Sequence, residues 1–479
     1  MSNLFRKILS FGKVHPLFSF LSFLIAGLNI FFHIPVQIIN AVTFLPETQF
    51  NIHISWIRIL VEPFVGFPLF LLRSSQALEE YFVIWLWLCV IFGILLILRW
   101  KNESYFQPLK LFVLSIPAMV GIALFVLVWM VFWPLPANRI VNHSENMILF
   151  NAHSHSHFSH DGLMIPEELM KWHEKNGFDA FFLTEHNHNP ETLKLVHRQE
   201  TGQLSQTPHI ITGIEFSGSN HLLLLGLTDT LITFGKQDTF AINETHRQGG
   251  LVGVAHWFDG QKKSLTHYLD TGIDGFEIAN QNLISYPKEI HDKMVRLCRE
   301  NHLFLLSNAD YHGYGPTCNT WNGLEIPHWN DLNHRKKTEV ILKGLKEGKT
   351  KTLFYHDRAN TIQGNIWISP LYYWLNYFRG LNGWQLFSWL LWSLWILYKK
   401  INCSPRRMMI WIPFIAGISL FIQGEILLSR SGDVLKTNEI YLEYGHLLFN
   451  SGLALFIAGA ILFILFKRFP QWVRVPDRY

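Results

Sequence analysis

The sequence is poor in charge and in cysteine, and each shortage excludes a class of protein. Only 16% of its 479 residues are charged, whereas about 25% is usual for soluble domains. The net charge of +4 is small and no long basic run is present, so we expect no nucleic-acid partner. None of the four cysteines lies in a CxxC pair, which argues against a thiolate zinc site. Cys298 and Cys318 are either two separate thiols or a disulfide.

Long apolar runs, by contrast, are abundant, and 49% of the residues are hydrophobic. A transmembrane helix needs roughly 20 mostly apolar residues. Two shorter or interrupted stretches are harder to interpret: 366–378 is predicted to be interfacial, and 54–72 is ambiguous between a span and an interfacial or re-entrant segment. We predict membrane regions at 1–135 and 360–479, with spans at about 16–34, 81–98, 111–133, 384–398, 408–428 and 446–466.

The basic residues outside the middle of the chain indicate an orientation. They concentrate in the N-terminal tail, the loop 99–110, the loop 399–407 and the C-terminal tail, and basic loops favour the cytoplasmic side. Three spans on each side of the middle segment place all four regions in the cytoplasm. We therefore predict an integral protein of a bacterial inner or cytoplasmic membrane, with both termini cytoplasmic and the middle domain outside. If both ambiguous stretches span the membrane, the middle domain is cytoplasmic instead.

The middle segment, 140–356, has the composition of a folded α/β domain. It contains 20 of the 24 histidines. Short apolar runs such as "MILFNAHSH" and "FDAFFLTEHN" alternate with helical stretches such as "PEELMKWHEKNG". Alternating strands and helices predict an α/β fold with a largely parallel sheet, and the number of units indicates a barrel.

Nearly every predicted strand ends in a histidine or an acid. In α/β barrels the carboxyl ends of the strands form the active-site face. In an extended chain, residues i and i+2 project to the same side, so His153 with His155, and Asp310 with His312, each present two ligands together. His221 departs from the pattern because it begins a strand. Imidazole and carboxylate ligands suit zinc, manganese and iron, and Glu215 is placed in the order to bridge neighbouring ions.

These residues resemble the motifs of the PHP superfamily, the "polymerase and histidinol phosphatase" domains. The His-x-His and the following "SHDG" are similar to its first motif, and "TEHN" is similar to its second. "GIEFSGSNHLLLLG", "AHW" and "SNADYHG" follow in the order that the family shows. The resemblance covers the segment 140–356, which is under half of the chain.

The resemblance implies a distorted (β/α)7 barrel, here inserted between two bundles of transmembrane helices. It implies two or three divalent ions (zinc, manganese or iron) and hydrolysis of a phosphate mono- or diester by a metal-bound hydroxide. His155, Asp161, Glu215 and His256 would be the catalytic members. The implied metal ligands are His153, His155, Asp161, His186, Glu215, His221, His256, Asp310 and His312.

The sequence also departs from the family's motifs. "SHDG" has a histidine where the family has its aspartate, so His160 competes with Asp161 as a ligand. Glu185 replaces the aspartate of the second motif, where we expect it to orient His186 from behind. The proline of the fourth motif is missing from "AHW". Further candidates for contact with substrate or ligands are His157, His188, Lys262, Lys263, Asn280 and Tyr311.

The function that this pattern predicts is that of a membrane-anchored, metal-dependent phosphoesterase. Its expected partners are the lipid bilayer and a phosphoester, with a membrane-linked phosphoester favoured because the domain is tethered at both ends. Two alternatives remain. The domain could bind metal or ligand without turnover, as a sensor or assembly module, or it could hydrolyse C–N bonds as amidohydrolases do.

Overall fold

The computed structural model describes residues 16–74, 77–99, 106–257, 263–280, 288–358, 368–399, 405–431 and 439–470. Within these ranges the chain forms twelve strands. They are β1 (Gln37–Asn40), β2 (Phe50–His53), β3 (Arg139–Asn142), β4 (Met147–Asn151), β5 (Ala180–His186), β6 (His209–Ser217), β7 (His221–Leu225), β8 (Leu251–Val254), β9 (Gly275–Asn280), β10 (Phe304–Asn308), β11 (Thr320–Glu325) and β12 (Lys351–His356).

Helices surround the strands of the middle domain and make up most of the two flanking regions. Those before and within the domain are α1 (Pro16–Phe31), α2 (Trp56–Leu60), α3 (Glu62–Leu71), α4 (Ala77–Arg99), α5 (Phe106–Phe132), α6 (Pro166–Lys175), α7 (Pro190–Glu200), α8 (Asp238–Arg247), α9 (Leu265–Asp270), α10 (Lys288–Glu300) and α11 (His334–Lys346). Those after the domain are α12 (Ser369–Arg379), α13 (Gly383–Lys399), α14 (Pro405–Ser431) and α15 (Ile440–Arg468).

The main sheet has ten strands in the order β1-β12-β11-β4-β5-β6-β7-β8-β9-β10, and β2 pairs with β3 separately. It is mixed, where the sequence predicted a largely parallel sheet. The pairs β4–β5, β5–β6, β8–β9 and β9–β10 are parallel, and the other five are antiparallel. One reason is connection length: residues 218–220 alone join β6 to β7, whereas a parallel crossover needs about a dozen residues or more.

The sheet curls until its last strand, β10, approaches β4 and β11. Buried side-chain amides join the two edges. Asn322 on β11 accepts from the backbone N–H of Ser307 at 2.8 Å and donates to the Ser307 carbonyl at 3.0 Å. Asn308 accepts from the N–H of Ala152 at 3.0 Å. The result is a curled half-barrel whose two edges are connected by side chains.

Strand direction determines where the polar strand ends lie. The pairings make β4, β5, β6, β8, β9 and β10 run the same way, with β7 reversed. The carboxyl ends of those six strands therefore meet at one edge of the sheet, together with the start of β7. This explains His221, which begins β7 and yet lies at the same edge as the residues that end strands.

The cysteines of the domain are separate thiols. Cys298 on α10 and Cys318 before β11 are both buried and free, so the disulfide alternative is wrong. Burial raises the pKa of each thiol to about 12. Both side chains act as small apolar groups in the core.

Four helices among the described residues are long and apolar enough to cross a membrane: Ala77–Leu98, Gln107–Phe132, Arg406–Ser431 and Ile440–Arg468. They correspond to four of the six predicted spans. The other two predicted spans correspond to shorter helices: α1 has 16 residues where 16–34 was predicted, and α13 has 17 where 384–398 was predicted, or about 24–26 Å against a hydrocarbon core of about 30 Å. The ambiguous stretch 54–72 divides at Val61 into the short helices α2 and α3.

The long helices pack closely against one another. Gly417 on α14 and Gly452 on α15 allow this approach, because a Cβ on Gly417 would lie 2.7 Å from the carbonyl oxygen of Gly452. Small residues at such contacts are typical of membrane helices. At one end of the bundle Leu111 meets Phe466, and at the other Tyr441 meets Leu163 of the barrel.

Candidate metal centre

The nine side chains that the sequence predicted as metal ligands all lie at the carboxyl edge of the curled sheet. Their ligand atoms form three groups, and the atoms of each group lie within 4.8 Å of one another. Glu215 belongs to two groups, and so does His155. The groups are His153, His155, Glu215 and Asp310; Glu215, His221 and His256; and His155, Asp161, His186 and His312.

The first group is the most deeply buried. The Nε2 atoms of His153 and His155 lie 3.3 and 3.1 Å from Oε2 of Glu215. Oδ1 of Asp310 lies 3.1 Å from His153 Nε2 and 3.4 Å from His155 Nε2. The His-x-His after β4 therefore presents both imidazoles to the same pair of carboxylates, as the i, i+2 spacing predicted.

The second group uses the other oxygen of Glu215. Oε1 lies 2.6 Å from Nδ1 of His221 and 2.9 Å from Nε2 of His256. Oε1 of Glu215 thus faces two histidines, while Oε2 faces His153, His155 and also Nδ1 of His186 at 3.2 Å, so Glu215 has the position of a ligand shared between neighbouring ions.

The third group gathers around Asp161. Its Oδ2 lies 3.2 Å from Nε2 of His186 and 3.2 Å from Nε2 of His312. His160 lies beside this group with its side chain 62% exposed, 3.8 Å from the same oxygen. The structure therefore brings Asp161 into the cluster and leaves His160 at its edge.

The cluster has the donor set of a metal centre. The Nε2 atoms of His153 and His155, and Nδ1 of His186, are buried and form no hydrogen bond with any described residue. Oδ1 of Asp161 is also buried and accepts no hydrogen bond from any described residue. Buried polar atoms almost always have partners, and imidazole nitrogens converging with carboxylate oxygens are the ligands that zinc, manganese and iron prefer. The residues therefore fit divalent cations.

The electrostatics of the cluster also favours cations. Burial would raise the pKa of Glu215 and of Asp310, but the neighbouring His153 holds both well below the usual range. Burial would lower the pKa of His153, yet Asp310 and Glu215 raise it well above its usual value. The pKa of His312 is raised to about 9, chiefly by Asp310 against the effect of burial. The carboxylates remain ionised, and positive charge at their centre is stabilised.

A carboxylate that the sequence did not single out supports the cluster from behind. Glu277, on β9, is 1% exposed. Its Oε1 lies 3.3 Å from Nδ1 of His153 and accepts from Asn308 at 2.8 Å, while Oε2 accepts from the backbone N–H of His256 at 2.7 Å. Such carboxylates fix the orientation of ligating histidines. The available signal was an acid within the apolar run "GFEIA".

Glu185 plays a related part through two serines. Its carboxylate accepts from the hydroxyls of Ser156 and Ser159 at 2.5 Å each. Ser159 Oγ lies 3.1 Å from Nδ1 of His155 and accepts from the N–H of His186 at 3.1 Å. Glu185 therefore positions the His155 ring and the backbone of His186, whereas the sequence predicted that it orients His186. Burial raises its pKa to about 7.

Two of the candidate ligands have unusual backbone conformations. His256 has a φ of 20° and Asp310 a φ of 44°, in the region that L-residues other than glycine seldom adopt. Strained backbone of this kind persists where surrounding contacts over-determine it, and it concentrates at functional sites.

The remaining predicted residues have different surroundings. Asn280 donates to Oδ2 of Asp310 at 3.0 Å and so adjoins the cluster. Tyr311 faces the core instead of the mouth, stacking on Trp172 with its hydroxyl donated to the Gly315 carbonyl. His157 packs against Phe158, and His188 against Phe234. Lys263 is exposed, and Lys262 lies outside the described residues.

Comparison with known proteins adds likenesses among solved structures. No family model and no curated protein matches the chain. A two-domain protein from Bacteroides vulgatus containing a predicted PHP-like metal-dependent phosphoesterase is 20% identical, with a TM-score of 0.34 over 44% of this chain and 65% of that one. The chain thus covers just under two thirds of that protein's length.

Two further structures are similar over smaller parts of the chain. A candidate metal-dependent phosphoesterase from Bifidobacterium adolescentis is 15% identical, with a TM-score of 0.28 over 35% of this chain and 88% of that one. An amidohydrolase from Chromobacterium violaceum, with bound sulfate and no metal, is 13% identical, with a TM-score of 0.29 over 39% and 96%. Because these scores are low, the chemistry of the centre rests on its own geometry.

Proposed function

We propose that this chain is a membrane-anchored, metal-dependent phosphoesterase that hydrolyses a phosphate mono- or diester. The arrangement of Glu215 carries the proposal. Its Oε1 faces two histidines and its Oε2 faces three, and a third ligand group adjoins through His155 and His186. Closely spaced divalent sites of this kind are used to activate water and to clamp the oxygens of a phosphoryl group.

The three groups would hold two or three zinc, manganese or iron ions. His153, His155, Glu215 and Asp310 would hold one, and Glu215, His221 and His256 the next. Asp161, His186 and His312, with His155 beside them, would hold a third if it binds. When bound, the ions would supply a water nucleophile at neutral pH and positive charge opposite the phosphoryl oxygens.

The candidate ligands differ in exposure: some side chains are fully buried beneath the site, and others are partly exposed at its entrance. The side chains of His153 and His155 are fully buried and that of Glu215 is 1% exposed, so they exclude water beneath the reacting group. Asp161 is 31% exposed and His221 is 38% exposed, and they border the openings through which a phosphoryl group can enter. Asn280 fixes the carboxylate of Asp310, as Glu277 fixes the ring of His153.

The helix ends support the predicted orientation in the membrane. Leu111, Met409 and Phe466 lie together at the end of the bundle away from the barrel. The basic residues that flank this end are Arg99, Lys110, Arg406, Arg407, Lys467 and Arg468. By the preference of basic residues for the cytoplasm, the barrel lies outside it and the C-terminal tail inside. Labelling of a cysteine introduced at an exposed barrel position of intact cells tests this topology.

Activity is tested with the purified full-length protein in detergent, supplied with manganese or zinc. We expect metal-dependent release of p-nitrophenol from p-nitrophenyl phosphate or from its bis-ester, and loss of this release in His155→Ala. Metal binding without turnover of any phosphoester would overturn the proposal. Hydrolysis of N-acyl substrates in its place would indicate the amidohydrolase alternative, and no hydrolysis at all would indicate the sensor.

A further inference from the structure

The mouth of the metal centre is bordered by exposed apolar side chains. Within the described part of 140–356, the exposed large hydrophobic side chains are Ile232 (53%), Phe234 (56%), Phe240 (41%) and Tyr314 (37%). The Phe234 ring lies 6.0 Å from that of His188, two residues beyond His186. Tyr314 lies two residues beyond His312. Exposed apolar groups that gather at one place mark contact with another apolar surface.

The loop that carries two of these side chains is fastened to the centre. Thr233 donates its N–H to the carbonyl of Asn187 at 2.8 Å, and Asn187 donates its N–H to the carbonyl of Glu215 at 3.0 Å. Ile232 forms an isolated bridge with His188. The apolar groups are therefore held at a fixed position beside the Glu215 strand.

On the side of Asp161 the mouth touches the long helices themselves. Leu163, two residues after Asp161, is buried against Leu427 of α14 and Tyr441 of α15. The Tyr441 hydroxyl donates to the Leu163 carbonyl at 2.9 Å, and the Leu163 N–H donates to the carbonyl of His312 at 2.8 Å. The two loops that supply Asp161 and His312 thus rest on helix ends.

The contacting helix residues lie in terminal turns, which sets the level of the centre relative to a bilayer. Tyr441 is in the first turn of α15, and Val131, whose carbonyl accepts from the N–H of Gly315 at 3.0 Å, is in the last turn of α5. Apolar spans end where the hydrocarbon gives way to the headgroups. Since two residues reach at most about 7 Å, Asp161 lies within that distance of the helix-end contact, which a bilayer spanned by these helices would place near its lipid phosphates.

We propose that the substrate of this centre is a lipid phosphoester, whose phosphoryl group enters the ligand cluster while its hydrocarbon chain stays against the apolar rim and the bilayer. This inference rests on the proposed function. Hydrolysis would consume one water: a new P–O bond forms to the water oxygen, the P–O bond to the leaving oxygen breaks, and that oxygen takes up a proton as the alcohol departs.

The test compares esters that differ only in their chains. Full-length protein in phosphatidylcholine vesicles with manganese is given phosphatidic acid or glycerol 3-phosphate, and phosphatidylglycerol or its deacylated form. We expect kcat/KM to be about a hundredfold higher for one of the lipids than for its chain-free partner. In Ile232→Ser/Phe234→Ser the ratio of lipid to chain-free kcat/KM should fall about tenfold, because the two serines remove apolar surface that the hydrocarbon chain would partly cover.

A matched control comes from the opposite edge of the sheet. β1 runs antiparallel to β12, so the loop after it lies away from the mouth, and Leu45 in that loop is 65% exposed. Leu45→Ser should leave the ratio unchanged. Equal turnover of lipid and chain-free esters would overturn the lipid inference and leave the phosphoesterase standing. Absence of metal-dependent turnover for every ester, p-nitrophenyl phosphate included, would overturn the proposed function itself.

Discussion

Two clusters of buried charge among the described residues compensate their carboxylates in different ways. The candidate metal centre gathers carboxylates with histidines at the mouth of the barrel. At the junction of the barrel and the helices, carboxylates are paired with arginines instead. Arg58 is paired with Glu62, and Arg73 Nε lies 2.5 Å from Oδ2 of Asp357. All four of these side chains are less than 10% exposed.

The two clusters differ in whether the group that faces the carboxylate carries a permanent positive charge. A guanidinium is always charged, so Glu62 has its counter-charge within the chain, and it also accepts from Tyr377 at 2.5 Å and Gln385 at 2.8 Å. An imidazole carries charge only when it is protonated. The nitrogens that face Glu215 therefore leave room for an exchangeable cation, whereas the arginine pairs leave none. One cluster is suited to chemistry and the other to holding the junction together.

The largest expected effect comes from removing the shared carboxylate. Glu215→Gln takes a ligand from two groups at once, so metal content should fall and kcat/KM should drop by about a thousandfold, since several kcal/mol of transition-state stabilisation depend on the ions. Metal analysis of the purified protein and turnover of p-nitrophenyl phosphate measure this. Glu325→Gln, at an exposed position on β11, is the matched control. Full metal content in Glu215→Gln would contradict the shared-ligand arrangement.

The arginine cluster should respond in stability and not in metal content. Glu62→Gln keeps the shape of the side chain but leaves Arg58 buried without its counter-charge, which costs about 3–5 kcal/mol when a buried pair is broken. Thermal unfolding in detergent should show this loss while the metal content stays that of the unchanged protein. Glu79→Gln on the exposed face of α4 serves as the control. Loss of metal in Glu62→Gln would mean that the two clusters are coupled.

Most of the candidate ligands could be predicted because they lie next to a local signal, whereas Asp161 and His221 depended on the resemblance to the PHP motifs. A histidine or an acid follows an apolar run, and the carboxyl ends of similarly directed strands must meet. All nine come together in the structure. The i, i+2 rule also explains why Tyr311, a candidate for contact with substrate or ligands, does not face the site. It lies between Asp310 and His312, so its side chain points the other way, into the core.

What the sequence did not predict depends on contacts between distant segments. Glu277 lies among apolar residues on β9, where an acid is ordinarily expected on a solvent face; it is buried because β4 and β10 bring His153 and Asn308 to it. The direction of β7 could have been inferred from the three-residue connection before it. The end of α1 at Phe31, where a span to 34 was predicted, could not, since the end of a helix depends on contacts made elsewhere in the fold.

A smaller effect is expected one step behind the ligands. Glu277→Gln removes the negative charge that holds the His153 ring while leaving every candidate ligand in place, and changes of this kind weaken metal affinity by about 10–100-fold. Competition with a chelator of known affinity measures the loss. Glu289→Gln on the exposed side of α10 is the matched control. An unchanged affinity would show that Asn308 and Asn280 suffice to hold this part of the centre.

The smallest effect concerns a buried histidine that belongs to neither cluster. His173 has no carboxylate partner in the part of the chain that the structure describes; its Nδ1 donates to the Leu169 carbonyl at 2.9 Å and its ring stacks on Phe181, and burial lowers its pKa to about 3. The folded protein therefore holds it neutral, whereas the unfolded chain protonates it below about pH 6.5. Its contribution to stability is present above that pH and is lost as the pH falls towards 3. Between about pH 7.5 and 5.5 the loss should be about 1.4 kcal/mol. The unfolding free energies of His173→Gln and of the unchanged protein are measured at both pH values. The variant should lose less stability than the unchanged protein between them. If both proteins lose the same amount, the ring is charged in the core.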